Sequence, residues 1–108
     1  MTLERLELEI ANLTPAEKSV VFQKLAFDVA GISPGIDRLP DLAGGEACIA
    51  RTRIPVWTLE TYRRLGWSDE RILTNFPTLR VSDLVNAWAY SQARCEEIEQ
   101  AIRRNESA

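Results

Sequence analysis

The segment GGEACIARTRIPVW, residues Gly44–Trp57, interrupts a chain that otherwise follows helical periodicity. It combines two glycines, two arginines, a proline and several β-branched residues, a composition typical of turns and short strands. From Ile36 to Val56 the 3.6-residue period is lost. We expect short strands in IDRLP, CIA and TRIPV around a Gly44-Gly45 turn. The segment therefore predicts a small β-hairpin between helical regions.

The N-terminal residues predict a short amphipathic helix. From about Thr2 to Asn12, apolar residues recur at spacings of three, four and three among glutamates, which places them on one helical face. This N-terminal stripe consists of Leu3, Leu6, Ile10 and Leu13.

A second helix is predicted by its end signals. Thr14 suits an N-cap, Pro15 the first helical position, and Glu17 the reciprocal position of a capping box. Gly31 suits the position after the helix, because glycine reaches a positive φ without a side-chain clash. We expect a helix over 15–30 whose core face is formed by Val21, Phe22, Leu25 and Val29.

Three further helices are expected after the hairpin. The first covers 56–65, ends at Gly66, and lets Trp67 fold back onto it. The second begins after Ser68 as N-cap and stops near Phe76, because Pro77 disfavours helical geometry in the residue before it. The last helix is expected from about 81 to 104.

The last helix carries an apolar seam that is longer than a small three-helix core requires. The seam consists of Leu84, Trp88, Ser91, Cys95, Ile98 and Ile102 at alternating spacings of four and three. Its distal part, Cys95, Ile98 and Ile102, needs another partner, and the N-terminal stripe is a candidate in the same chain or in a second one. Because both surfaces extend beyond a compact core, we expect a homodimer in solution.

The composition limits the classes of function. The chain has 108 residues and a net charge of -3, so binding to nucleic acid by charge alone is not expected. It has no histidine, and Cys48 and Cys95 are far apart, so neither a nucleophile–base pair nor a metal cluster can be assembled. We expect a cytoplasmic non-enzyme with free, buried thiols, and no cofactor, membrane contact or small-molecule substrate.

An ordered set of short motifs carries a resemblance to a known family. The Gly-Gly turn, TRIPV, LGWSDERIL, FPTL and AWAY follow one another between about Ile36 and Ser91. This stretch resembles domain-of-unknown-function family 433, whose members are predicted antitoxins of toxin–antitoxin pairs. The resemblance implies a β-hairpin leading into a homeodomain-like trihelical unit, a PIN-like ribonuclease toxin as partner, and autoregulation of the operon.

Three residues depart from the family pattern. Arg51 stands where the family usually has glycine, Ala47 where proline is common, and Arg80 where threonine is usual. The first departure concerns the geometry of the turn before the trihelical unit. The third replaces a good N-cap of the last helix with a cation.

The spacing of the helices agrees with this resemblance. Two short helices joined by GWS and a third after PTLR have the dimensions of a helix-turn-helix unit. The predicted fold is mainly α, with an N-terminal helical pair, a small β-hairpin and a homeodomain-like trihelical unit with a long last helix. We divide the chain into an N-terminal extension for packing or dimerisation, 1–35, and a hairpin plus trihelical antitoxin-like domain, 36–108.

The central part of the chain is locally basic. Between Ala47 and Arg94, seven arginines face four carboxylates, a net charge of +3 that permits a DNA-facing module. Arg51 and Arg53 precede the trihelical unit, where homeodomain-like proteins carry a basic arm that enters the minor groove. Alternatively, as alternate residues of a strand, they share one face and clamp Asp41 or Glu46. The DNA-binding candidates are Arg51, Thr52, Arg53, Arg63, Arg64, Arg71, Arg80 and Asn86.

Arg63 and Arg64 also have a second interpretation, and the recognition helix is a poor DNA reader, with Asn86 as its candidate for base contact and Asp83 repelling phosphate. Arg63 and Arg64 close a predicted helix, where cations suit the partial negative charge of its C-terminus. On the recognition helix the exposed positions are predicted to be Ser82, Asp83, Asn86, Ala87 and Tyr90. Of these, Asn86 has the side chain that reads adenine.

The function expected from these features is that of an antitoxin-type adaptor. It would bind and neutralise a cognate PIN-like ribonuclease and, as a homodimer, bind its own operator DNA. The alternative is a dimerisation or protein-interaction module that does not bind DNA, with the trihelical unit as scaffold. A small nuclease encoded beside the gene would favour the first interpretation.

Overall fold

A computed structural model describes residues 1–38 and 46–106. The predicted Gly44-Gly45 turn and Asp41 lie outside the described residues. Within them the chain forms six helices and a two-stranded antiparallel sheet, which confirms the predicted fold class. The elements are α1 Leu3–Ala11, α2 Pro15–Ala30, β1 Ile36–Arg38, β2 Ala47–Ile49, α3 Val56–Arg64, α4 Asp69–Asn75, α5 Val81–Ala93 and α6 Cys95–Glu106.

The ends of α2 follow the sequence signals. The Thr14 side chain accepts a hydrogen bond from the Glu17 N–H at 3.1 Å, and Glu17 accepts one from the Thr14 N–H at 2.9 Å. These two bonds form the predicted capping box and lower the pKa of the Glu17 carboxyl. At the other end Gly31 is left-handed, with φ 67°. The helix is therefore bounded as predicted.

The predicted core face of α2 is wrong. The helix packs against α5, and its one buried residue is Gln23, which is 3% exposed. The Gln23 Nε2 donates to the Pro34 carbonyl at 2.8 Å and holds the chain after the helix. Phe22, Leu25 and Val29 are exposed on the opposite side. Helical periodicity identifies an apolar face but not the surface that meets it.

The predicted hairpin is present, although Leu39 and Pro40 of the predicted strand IDRLP lie outside the described residues. In it β1 pairs with β2 in the register Ile36–Ile49, Asp37–Cys48 and Arg38–Ala47. TRIPV is not a strand, because the chain turns after β2 and only Pro55 returns to it, as an isolated bridge to Cys48. In this turn Arg51 and Arg53 have φ values of 74° and 60°. The turn therefore leads directly into α3.

The core lies between the hairpin and the helices α3, α4, α5 and α6. At the end of α3, Gly66 has φ 93°, and Trp67 folds back so that its ring lies 4.4 Å from that of Tyr62. This confirms the predicted helix end. The most deeply buried apolar side chains are Ile49, Val56, Leu59, Ile72, Leu84 and Tyr90.

The predicted last helix is divided in two. At Arg94 the backbone leaves helical geometry, with φ -125° and ψ 43°, and α6 starts at the next residue. The break changes the phase of the seam, so that Cys95 is exposed while Ile98 and Ile102 are buried. These two isoleucines join the core of their own chain, where α6 packs on α3. The distal seam thus has its partner within the chain.

Candidate functional site

The outward side of α2 is an apolar surface. It is formed by Phe22, Leu25 and Val29, which are 58%, 51% and 84% exposed, and we call it the outer face of α2. The three residues lie one turn apart, so they form one stripe. Lys18, also exposed, continues the stripe one turn earlier. The sequence did not predict this surface, because the periodicity of the same residues predicted a core face.

A polar contact turns α2 this way. Besides the bond from Gln23 to Pro34, the chain after α2 approaches α5 closely at Gly35, where a Cβ would collide with the Asn86 side chain. The other amide atom of Gln23, Oε1, is buried without a hydrogen-bond partner among the described residues. The α2–α5 interface is therefore specified by amides and a glycine.

Arg51 is engaged within the chain. Its Nη2 lies 3.1 Å and 3.3 Å from the two carboxylate oxygens of Asp83, whose side chain is 6% exposed. The Oδ2 of Asp83 also accepts the Arg80 N–H at 2.8 Å. The alternative of a structural ion pair is thus realised, with a partner other than Asp41 or Glu46. Glu46 instead accepts from the Trp57 indole at 2.6 Å.

Thr52 and Arg53 form the rest of the turn. The Thr52 hydroxyl donates to the Ile49 carbonyl at 2.9 Å and accepts the Ile54 N–H at 3.1 Å, which fixes the turn. Arg53 is exposed and has a positive φ. Because the segment is a turn, the strand argument that placed both arginines on one face does not apply.

The other arginine candidates also make contacts inside the chain. Arg63 Nη2 lies 2.8 Å from Glu60 Oε1, and its guanidinium lies 4.6 Å from the centre of the Trp88 ring. Arg64 pairs with Glu60 and with Glu99, and its hydrogen bond lowers the pKa of the Glu99 carboxyl. In α4 the Arg71 guanidinium lies 3.9 Å from the centre of the Trp67 ring. The contacts of Arg63 with Trp88 and of Arg64 with Glu99 connect α3 to α5 and α6.

Most of α5 is covered. Asp83, Ala87 and Tyr90, predicted to be exposed, are buried, and Asn86 is half-buried beside Gly35. The exposed residues of α5 are Val81, Ser82, Val85 and Gln92. Its outward side therefore combines two valines with the polar side chains of Ser82 and Gln92, and Asn86, the predicted base reader, is not among its exposed residues.

A polar network around the buried Tyr90 joins β1 to α5 and α6. Arg38 Nη2 donates to the Tyr90 hydroxyl at 2.7 Å, the hydroxyl donates to Glu97 at 2.5 Å, and Arg38 also pairs with Glu97. Burial of Tyr90, together with the hydrogen bond and charge of Glu97, raises the pKa of this phenol above 10.0. No sequence signal indicated this network, because its members are 52 and 59 residues apart from Arg38.

The structure separates the predicted partner-binding residues into two groups. Leu3 and Leu6 of the N-terminal stripe are exposed, and Ile10 and Leu13 are half-buried. None of the α1 residues is buried. Ile98 and Ile102, in contrast, are covered by the core of their own chain, and Cys95 is exposed on α6. Of the predicted partner-binding residues, those exposed to another molecule are Leu3, Leu6 and Cys95.

A groove lies between α2, α3 and α5. It has a volume of about 320 Å³, and its floor is apolar, with Val20, Val85, Trp88 and Ala89. Pro15 and Ala16 line one end, and Arg63 is the one charged residue among the lining side chains. We call it the α2–α5 groove. It is a second apolar surface, distinct from the outer face of α2.

The described residues hold no cluster of three or more metal-ligating side chains. In the same part of the chain, none of the helices combines the length and the apolar character needed to cross a bilayer. Burial and the nearby carboxylates of Glu46 and Asp37 raise the pKa of the Cys48 thiol.

Comparisons with known proteins identify relatives. Residues 36–91, more than half of the chain, match the family described as "Protein of unknown function (DUF433)". The crystal structure of a DUF433 member protein from Anabaena variabilis ATCC 29413 is 38% identical, covers 95% of this chain and 99% of its own, and has a TM-score of 0.61. No curated protein matches significantly. The chain belongs to the DUF433 family.

Proposed function

We propose that this protein is an antitoxin-type adaptor that binds and neutralises a PIN-like ribonuclease. The outer face of α2 is the surface that contacts the ribonuclease. The trihelical unit is the scaffold that holds α2 in position. The family resemblance supports the nature of the partner, and the exposed apolar stripe on α2 supports the choice of this surface.

The orientation of α2 is the observation that carries this proposal. An amphipathic helix normally packs its apolar stripe against the core of its own chain. In α2, however, Gln23 is the buried residue, whereas Phe22, Leu25 and Val29 are exposed to solvent. Contiguous apolar surface of this kind marks interaction sites in folded proteins. With Lys18 beside it, the outer face suits an apolar groove with a carboxylate at its rim.

Operator binding by a homodimer is the second candidate function. The exposed side chains of Arg53 and Arg80 and the local charge of +3 support it. The burial of α5 argues for contacts to phosphate rather than to bases, which would give binding with steep salt dependence and weak sequence preference. A protein-interaction module without DNA binding is the alternative.

The reading frame beside the gene tests the main proposal, and we expect it to encode a small nuclease. We expect the purified protein to bind that nuclease in calorimetry and to stop its cleavage of RNA. Leu25→Glu should weaken binding at least about tenfold, since it places a charge in the apolar contact. Leu65→Glu is the matched control, because Leu65 is 70% exposed at the end of α3 and does not belong to the outer face of α2.

Two results would overturn the proposal. One is a folded protein that neither binds nor inhibits the neighbouring nuclease. The other is equal loss of binding in the Leu25→Glu and Leu65→Glu variants, which would remove the outer face from the interface. Operator binding is tested separately by the salt dependence of its affinity for the upstream DNA, with Arg53→Ala and Arg80→Ala as the variants.

A further inference from the structure

We propose that α1 of one copy of this chain docks into the α2–α5 groove of a second copy, and that this exchange forms a symmetric homodimer. The inference rests on the proposed function only for the existence of a dimer, to which it adds an interface. It leaves the outer face of α2 free for the ribonuclease.

The N-terminal helix lacks a place in its own chain. All of its residues are at least partly exposed, and Leu3 and Leu6 of its stripe face solvent. A helix of nine residues is too short to be stable in water by itself, and its order depends on packing of the apolar face. The ends of the helix are nonetheless defined, with the Thr2 side chain accepting the Arg5 N–H at 3.2 Å. A partner surface for the stripe is therefore required.

The groove matches the stripe in chemistry. Its floor is apolar, and on α5 the exposed Val81 extends the apolar side beyond Val85. In α1, Glu7 and Glu9 lie on either side of the stripe, about 80° from its centre at 100° per residue. No carboxylate lines the groove, and Arg63 stands at its wall. An acidic amphipathic helix thus meets an apolar groove that has a cation.

The chain connection favours exchange between two copies. Pro15, the first residue of α2, lines the groove itself, so α1 starts from the edge of the groove. Thr14 is extended, at φ -67° and ψ 159°, three residues link α1 to α2, and none of the residues that line the groove belongs to α1. In a two-fold pair each copy contributes one helix and one groove. Both apolar surfaces are then covered, and the assembly is closed.

The oligomeric state of three variants tests the inference. By light scattering at tens of micromolar concentration, the wild type should have twice the mass of one chain. Leu6→Glu, in the stripe, and Val85→Glu, in the groove, should each shift the protein to the monomer. Leu8→Glu is the matched control, since Leu8 is 67% exposed on the opposite side of α1 and should leave the dimer intact. Thermal melts confirm that each variant is folded.

Cross-linking identifies the pair of surfaces. In a Cys95→Ser background, Leu6→Cys and Val85→Cys proteins are mixed and oxidised, and a covalent dimer of one chain of each kind is expected. Leu8→Cys with Val85→Cys should give much less of it.

Three results overturn the inference. The first is a monomeric wild type. The second is a Leu6→Glu variant that is as dimeric as Leu8→Glu. The third comes from one chain that carries both Leu6→Cys and Val85→Cys, if its disulfide forms only within that chain. Ribonuclease binding by Leu6→Glu is measured in parallel. If Leu6→Glu is monomeric but still binds the ribonuclease, dimer formation and ribonuclease binding use different surfaces. If the wild type is monomeric yet inhibits the nuclease, the interface fails while the proposed function stands.

Discussion

The guanidinium of Arg51 lies against the carboxylate of Asp83, 3.1 Å away, and the same carboxylate caps the first turn of α5 through the Arg80 N–H. One buried acidic side chain thereby joins the turn before α3 to the start of α5. The resembling family usually has glycine at position 51, and the φ of 74° at Arg51 is the conformation that glycine favours. The ion pair compensates for a strained backbone.

Asp83→Ala should destabilise the fold by about 1–3 kcal/mol, because it removes a helix cap and the partner of Arg51 together. Asp83→Asn should cost less, since the amide oxygen still accepts the Arg80 N–H. Urea denaturation of both variants measures the difference. Equal stability of wild type and Asp83→Ala would contradict the structural role of the pair.

Arg51→Gly and Arg51→Ala separate the ion pair from the backbone strain. Both variants lose the contact with Asp83, but only glycine relieves the positive φ. We expect the glycine variant to be more stable than the alanine variant by about 1 kcal/mol and to lie within about 1 kcal/mol of the wild type. Thermal melts at one buffer condition provide the comparison. An alanine variant as stable as the glycine variant would show that position 51 carries no strain.

Stability at alkaline pH should depend on Tyr90. The pKa of its phenol is raised above 10.0 in the native state by burial and by Glu97. The resulting stability is present below the unfolded pKa and is lost as the pH rises above it, because the unfolded chain then releases a proton that the native state retains. In Tyr90→Phe the free energy of unfolding should therefore decline less steeply with pH than in the wild type, by up to about 1.4 kcal/mol per pH unit. Denaturation midpoints between about pH 9 and pH 11 test it.

The control for this measurement is Tyr62→Phe, which keeps the ring contacts with Trp67 and Phe76. It should decline with pH as steeply as the wild type. Parallel pH profiles for wild type and Tyr90→Phe would contradict the assignment.

Gly35→Ala and Gly66→Ala distinguish a close contact from backbone strain. Both glycines have a positive φ, but a Cβ at Gly66 would meet open space, whereas one at Gly35 would collide with Asn86. We expect Gly35→Ala to cost about 1–3 kcal/mol more than Gly66→Ala. Adding Asn86→Ala to Gly35→Ala should recover most of the difference. Equal melts for the two single variants would exclude tight packing of α2 on α5 at this point.

Structural features that depend on neighbouring residues could be predicted from the sequence. The capping box of Thr14 and Glu17, the left-handed Gly31 and the Ser68 cap were predicted, because each bond joins groups within about one helical turn. The order of helices and hairpin followed from the same signals and from the family motifs.

The contacts between helices, in contrast, could be identified only from the tertiary structure. The sequence could not place Gln23 inside and Leu25 outside, because amphipathicity is a property of one helix and burial is a property of two. It could not pair Arg51 with Asp83, which are 32 residues apart, nor foresee that the break at Arg94 turns Ile98 and Ile102 into the core. These contacts have no local signal, since the free energy that selects them comes from packing between distant segments of the chain.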